Sequence, residues 1–529
     1  MSIKIKKSFR AEFLPDENLT VDTVQSICSA AGLTVRPGNF FSGPVKFYDT
    51  FDWRLYSQNY ELARIDSHYR LRRRDTGEVA ADFPWRRQTR LTFARDLCQP
   101  ELQQQLSDLI ANRALLEQAT AHLEMQQLEI AVPGGGRTPA RLELTLQTVS
   151  AKRRSGVPPF FRIVRLEQRD GGRREFARVV AILQNCCGEP LATPLSPLAA
   201  TAEAMGLTPG FYSTRITTPL QPEMSARTAA IQLSRDIVKV MRQNEPGLLA
   251  DTDTEFLHDY RVSVRRLRSL LTQLREIFPE KPLTFFRGEF AVVGQLTNHL
   301  RDCDVLLENR TGYENMLPPS LNRGLVPFFN NIAAVRRKEH RRLVEYLHSA
   351  HYQTVCQEWD KFLDRLPNFP VTPTSEMSVG ELSGKLILKR FRRVLRRGAA
   401  ITAMSSDAEM HQLRIACKKL RYLLEFFAPL HADQLAEMIE QLKKMQSNLG
   451  DFNDLAVQIA KLDVRIRRAS PHRRNSLLTA AAVGGLIAML AEQKYRLRSE
   501  FDGVFAAFSS RANLRRYEER FGGEPAETN

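Results

Sequence analysis

The chain writes one helical motif twice, and this constrains its fold more than any other feature. "HDYRVSVRRLRSLL" opens at His258 and "HQLRIACKKLRYLL" opens at His411, 153 residues on (258 to 411). On a helix turning about 100° per residue, Arg261, Arg265 and Arg268 fall within roughly 80° of His258. Arg414, Lys418 and Arg421 take the same positions relative to His411, with Arg266 and Lys419 beside each set. Behind the charges run apolar stripes. Tyr260, Val264, Leu267, Leu271 and Leu274 form the first, and Leu413, Cys417, Leu420, Leu424 and Phe427 the second. The stripes can pack bundles, whereas folding has no need of the charged faces.

A second echo follows each copy. "HLRDCDVLL" (299–307) matches "NLGDFNDLAV" (448–457), with Asp302 opposite Asp451 and Asp304 opposite Asn453. The helical half therefore reads as an internal duplication in which an acidic turn follows each basic helix. Such acids are expected to cap a helix or hold basic side chains, not to bind a metal. "RRKEHRR" adds Arg336 and Arg337, and "KRFRRVLRR" adds Lys389, Arg393 and Arg396 on one face. A solvated helix face interleaves acid with base at i, i+4. These faces nearly lack acid, which favours an anionic ligand.

The rest of the chain follows two rules of patterning. Up to about residue 210, "IKIKKSF", "RLELTLQTV" (141–149) and "FRIVRLEQR" (161–169) alternate with the period of strands. "PGGGRTP" and "RDGGR" supply turns, and helical patches are expected near 101–118 and 174–185. The expected class is α+β multidomain, an antiparallel β-barrel or tunnel with helices followed by an all-α domain of two duplicated bundles. The expected boundaries are 1–210 for the barrel, 211–225 for a linker and 226–515 for the helical domain. Its lobes, about 226–365 and 380–515, are split by a Pro-rich stretch from Arg365 to Ser383.

With a formal net charge of +16 the natural partners are polyanions. Seven scattered cysteines without a C-x-x-C spacing read as reduced thiols. "MSIKIKKSF" lacks an apolar signal core, and "AAAVGGLIAMLA" from Ala480 is too short to span a bilayer and is expected to pack as a buried helix. A cytoplasmic protein is expected. Binders of single-stranded nucleic acid interleave aromatics for base stacking. Here Phe391, Phe426 and Phe427 fall on apolar stripes, so no specific nucleic acid is expected. A naked phosphate chain needs only guanidinium forks and ammonium charges, and three turns follow it for about 15 Å. Inorganic polyphosphate fits best.

On these residues the helical half resembles the CHAD family, histidine-marked α-helical domains that bind inorganic polyphosphate through basic helical faces. The resemblance implies polyphosphate contacts at His258, Arg261, Arg265, Arg266 and Arg268, and at His411, Arg414, Lys418, Lys419 and Arg421. Arg336, Arg337, Lys389, Arg393 and Arg396 extend the set, and association with polyphosphate granules would follow. Close phosphates favour an imidazolium, so binding should strengthen as pH falls through the histidine range.

"FYDTFDWRLYSQNYELARIDSHYRLRRRDTG" (47–77) and "PLSPLAATAEAMGL" (194–207) resemble the CYTH family. Its active members are antiparallel tunnels that hydrolyse triphosphates, with carboxylates holding Mg²⁺ or Mn²⁺ and basic residues holding phosphate. Where that family opens with Glu-any-Glu-any-Lys, this chain reads Lys4, Lys6 and Ser8; where it has Glu-any-Glu-any-Glu, Ile163, Arg165 and Glu167 stand. Four of five acids are thus missing. Lys4, Lys6, Arg72, Arg74 and Arg165 become candidate phosphate contacts, with Glu143 also facing the lumen. Hydrolysis, a metal and any other cofactor are not expected, since hard cations need those oxygens. The rival readings are a metal-dependent triphosphatase, should Glu12 or another acid fill the gap, and a nucleic-acid binder. Phosphate-loop, zinc-protease and nucleophile-elbow motifs are absent from the sequence.

Overall fold

The computed structural model describes residues 9–15, 19–84, 91–133, 140–150, 160–170, 172–431, 435–467 and 476–522. Lys4, Lys6 and Ser8 lie outside the described residues. Two compact units divide the chain, Met1–Ser213 and Thr214–Asn529.

The first unit is an eight-stranded antiparallel sheet. Its strands are β1 (Arg10–Phe13), β2 (Thr34–Asp49), β3 (Tyr60–Ile65), β4 (His68–Arg73), β5 (Val79–Pro84), β6 (Leu116–Val132), β7 (Ala140–Ser150) and β8 (Phe160–Asp170). They lie in the order β1-β8-β7-β6-β2-β3-β4-β5. Around them are α1 (Val21–Ala30), α2 (Arg54–Ser57), α3 (Pro100–Ile110), α4 (Arg173–Cys187) and α5 (Pro197–Ala204). Alternation sorts each strand as expected. Leu142, Leu144, Val164 and Leu166 pack with Val24 and Cys28 of α1 and Val179 and Leu183 of α4. Glu143, Thr145, Gln147, Arg165 and Glu167 face the concave side.

Two expectations need correction here. The helical patch stops at Ile110, and 116–132 instead continue as β6, with alternate residues such as Ala119, Ala121 and Leu123 buried. The sheet curls without becoming a hydrogen-bonded barrel: β1 and β5 are its edges, and among the described residues no ladder joins them. Side chains span that gap. Arg72 of β4 meets Glu12 of β1 at 2.5 Å, and Arg10 Nη1 donates to the Gly77 carbonyl at 3.1 Å. Gly77 turns the chain at φ +70°, and a Cβ there would press on Arg72 Nη2 at 3.0 Å, so glycine is needed twice over.

The second unit is helical: α6 (Ala226–Leu249), α7 (Thr254–Gln273), α8 (Glu280–Glu308), α9 (Arg310–Met316), α10 (Pro319–Leu347), α11 (Ala350–Arg365), α12 (Pro373–Glu376), α13 (Val379–Ala399), α14 (Asp407–Phe427), α15 (Ala436–Arg467), α16 (Ser476–Phe508) and α17 (Arg511–Phe521). Asp253 caps α7 by accepting from the Glu255 and Phe256 amides, and Ser406 with Glu409 forms a capping box on α14. Both apolar stripes are buried, none of their ten residues being more than 3% exposed. The acidic motifs lie inside α8 and α15 and not in turns, because both helices continue past them.

The duplication is visible in the packing. Ser225 and Ser378, N-caps of α6 and α13, form an antiparallel bridge with each other. α7 touches α14, and α10 touches α16. Equivalent helices thus meet one another, as a pseudo-two-fold arrangement requires. The two lobes share a core in which Cys303, Leu325 and Phe329 pack with Leu462, Leu486 and Leu490. Among the described residues one helix, Leu477–Phe508, is long and apolar enough by composition to cross a membrane. Ala482, Val483, Leu486 and Leu490 on it are buried in that shared core. None of the seven cysteines, all among the described residues, is in a disulfide.

The Pro-rich connector between the copies is pinned by one buried side chain. Arg227 in the first turn of α6 donates to the carbonyls of Leu366, Pro367, Phe369 and Pro370 and to Ser375 Oγ, at 2.8 to 3.4 Å. Arg227→Met fills similar space but strands those acceptors, and should lower unfolding free energy by about 3 kcal/mol. A denaturant midpoint unchanged from the parent would contradict this role.

Candidate functional site: a basic groove between the repeats

α7 and α14 are clamped by polar side chains at their C-terminal ends. Gln273, the last residue of α7, is 7% exposed and donates to the Lys419 carbonyl at 3.1 Å while accepting from Arg390 Nε at 3.0 Å. Arg266 crosses from α7 to Glu425 of α14 at 3.0 Å, and its other nitrogen donates to the Thr214 carbonyl. With the two helices held so, the first half of α8 closes one side of a groove of about 900 Å³.

Five cations line it: Arg265 and Arg268 from α7, Arg287 from α8, and Lys418 and Lys419 from α14, with His411 at the rim. No ion pair to a carboxylate joins any of the five among the described residues. The α8 wall is small and open, since Gly288 and Ala291 line it and a Cβ on Gly288 would meet nothing within 4 Å. Gly294 brings α8 close to Arg268, whose Nη1 would lie 2.9 Å from an added Cβ.

The electrostatics record the imbalance. Burial, followed by the nearby Arg414 and Arg265 charges, pushes Lys418 down to about 8. Burial also lowers Lys419, helped by Arg390, Arg393 and Arg397, and pushes Arg261 down to about 10, helped by Arg265. The guanidinium Nε of Arg265 is buried without a hydrogen-bond partner. Positive charges that crowd one another under partial burial raise the free energy of the empty groove, and an anion removes that cost.

The remaining sequence-read residues divide by surroundings. Arg414 pairs with Asp454 at 3.1 Å, and His411 Nδ1 donates to Asn453 Oδ1, so the acidic motif does hold basic side chains in the second copy. In the first copy Asp304 instead holds Arg336, which also pairs with Asp251. Arg261 donates to Thr297 Oγ1, and Arg421 pairs with Glu425. Arg337, Lys389, Arg393 and Arg396 are exposed on α10 and α13. His258 is half-buried, and burial with Arg301 beside it pushes it down to about 4. Arg287 and Gln273 were not legible in the sequence. Arg287 is a lone cation in the apolar "LTFFRGEF" and has no echo in the second copy.

The concave side of the first unit contrasts with this groove. Glu12 meets Arg72 at 2.5 Å and Arg165 at 2.8 Å, and Glu61 meets Arg72 at 3.5 Å. Glu167 pairs with Arg10, Glu143 with Arg169, and Asp82 with Arg70. Acids that the strand matching did not count, such as Glu61 and Asp82, are present, and Arg10 and Glu12 of β1 lie on the same side. Each of these acids is engaged by an arginine. Arg74 lies over the Tyr56 ring, 3.4 Å from its centroid, and donates to the Tyr56 carbonyl.

Lys418 supplies a test of the groove's electrostatics. In the unfolded chain lysine protonates near 10.4, whereas in the folded protein Lys418 resists protonation until about 8. The folded state is therefore penalised as pH falls from the ordinary lysine range to 8, in full below it. Lys418→Met should stabilise the protein at neutral pH, by less at pH 10, and weaken anion binding. A variant that is less stable and binds normally would contradict the reading.

A CHAD domain model matches residues 232–463, which include α7, α8, α14 and the whole groove. Two uncharacterized proteins of Mycobacterium tuberculosis, from strains CDC 1551 / Oshkosh and ATCC 25618 / H37Rv, are each 28% identical over 211 residues. The alignment spans 38% of this chain and 38% of each relative. Among solved structures, the CHAD domain from the plant Ricinus communis has a TM-score of 0.49 at 23% identity, covering 57% of this chain and 98% of that one. PptA from Streptomyces chartreusis has a TM-score of 0.42 at 16% identity, covering 53% and 99%. Residues 232–463, with the groove between the repeats, are a CHAD domain.

Proposed function

We propose that this protein binds inorganic polyphosphate in the groove between α7, α8 and α14. The supporting observation is five cations from three helices, none paired with an acid among the described residues, around a groove long and open enough for a linear chain. Guanidinium forks and ammonium groups supply what successive phosphates need. Membership of residues 232–463 in the CHAD domain agrees with it, since polyphosphate binding is what the resemblance implies. Tyr422 is an aromatic in the lining, and one ring is no stacking series for bases. A cytoplasmic protein drawn to polyphosphate granules is the setting this reading implies.

The first unit, in this proposal, is a CYTH-like domain that has lost hydrolysis. Its inward acids hold arginines in place, and their oxygens are thereby committed to ion pairs. Incubation with tripolyphosphate and Mg²⁺ or Mn²⁺ should release no phosphate above background; metal-dependent release would restore the triphosphatase reading.

Titrating the full chain with long-chain polyphosphate tests the main claim. Affinity should fall steeply with added salt, as counterion exchange dictates, and RNA at equal phosphate concentration should not displace the ligand. Arg268→Ala or Arg287→Ala should each cost about 1.5–3 kcal/mol, roughly ten- to hundredfold, and Arg268→Glu with Arg287→Glu should abolish binding. Undiminished binding by the double variant would overturn the site.

A further inference from the structure

By the repeat register, the counterpart of the groove would lie on the other side of the α7–α14 contact, over α14, α15 and α7. The register between copies is fixed at several points. Ser225 answers Ser378, and His258 answers His411, so α7 maps onto α14. Along α8 and α15 the aligned acidic motifs set Asp302 against Asp451, and buried residues keep the same step. Phe286 answers Leu435, Val293 answers Leu442, Leu300 answers Leu449, and Cys303 answers Phe452.

In this register the two grooves have different chemistry. Arg265, Arg268, Lys418 and Lys419 of the first correspond to Lys418, Arg421, Arg265 and Arg266 in the second, so the basic positions survive. Thr272 of the first becomes Glu425, which pairs with Arg421 at 2.6 Å and with Arg266 at 3.0 Å. One acid therefore occupies the two cations that answer Arg268 and Lys419. Arg287 becomes Ala436, while Gly288 and Ala291 become Glu437 and Glu440. Those two acids pair with Arg516 and Lys443 on an exposed surface. The first groove thus has five cations and no acid; in its counterpart the same register sets four cations, of which Arg265 and Lys418 are common to both grooves, against Glu425, Glu437, Glu440 and, answering Thr284 in the sequence, Asp433.

We propose that polyphosphate recognition is one-sided: the groove over α7, α8 and α14 takes the chain, and its repeat-related counterpart refuses it because Glu425 and Ala436 stand where the first has Thr272 and Arg287. This rests on the polyphosphate reading above. A linear polyanion has two equivalent sides to choose from in a symmetric duplication. Here the sequence has spoiled one, so each molecule holds a single segment of chain, bordered by α8 on one side only. Glu425 is then a specificity-determining residue, and it also ties α7 to α14.

The experiment counts short linear polyphosphate bound per full-length protein by calorimetry. The parent should bind one, Arg268→Glu/Arg287→Glu none, and Glu425→Thr/Ala436→Arg two. Adding Glu425→Thr/Ala436→Arg to the first double variant should return binding to within tenfold of the parent. Glu425→Gln/Ala436→Arg repeats the test should the threonine variant unfold. Two equal sites in the parent, or no rescue by folded variants, would overturn the one-sided assignment and leave polyphosphate binding intact. A parent that binds no polyphosphate would overturn the functional reading itself, and this assignment with it.

Discussion

The packing of α7 against α14 decides where four of the five groove cations stand. Both helices give one face to cores, where Tyr260, Leu267, Leu413 and Leu420 are fully buried. That burial, worth about 1.5–3 kcal/mol for each large apolar side chain, fixes the rotation of each helix and turns Arg265, Arg268, Lys418 and Lys419 toward one another. Gln273 and the Arg266–Glu425 pair then set how closely the helices approach. Hydrophobic burial thus sustains a charge arrangement that would not assemble on its own account.

The two units spend the same side-chain types differently. On the concave side of the sheet, arginine and carboxylate are matched partner for partner, and Arg72, Glu12 and Arg165 form a buried cluster that spans the gap between the sheet's edges. Removing one member of such a cluster strands the others, which makes it architecture. In the helical groove the cations have each other as neighbours, and burial together with those neighbours pushes Lys418 down to about 8. Unpaired charge is retained at the expense of stability, which points to a ligand that arrives later.

Much of this was legible in the sequence because it is periodic. The stripes Tyr260 to Leu274 and Leu413 to Phe427 follow from helical spacing, and β7 and β8 from alternation. Relations between distant segments were not legible. Arg287 stands alone in an apolar helix, and nothing local says that α8 brings it to the same groove as Lys418. Arg336 reads as a free cation until Asp251 and Asp304 are seen against it. The partner of β1 also escaped, since alternation in "RAEF" does not say which strand it pairs with; pairing with β8 decides the register, and Glu12 opposes Arg165.

The ammonium of Lys418 reports most directly on whether the groove is an anion site. Its titration in the full-length protein, followed by nuclear magnetic resonance on labelled lysine, should centre near 8 without ligand. With saturating polyphosphate, the neighbouring negative charge should carry it upward into the ordinary lysine range, near 10.4. A Lys418 titration that stays where it was while polyphosphate is bound would show that the chain lies elsewhere, and would contradict the account.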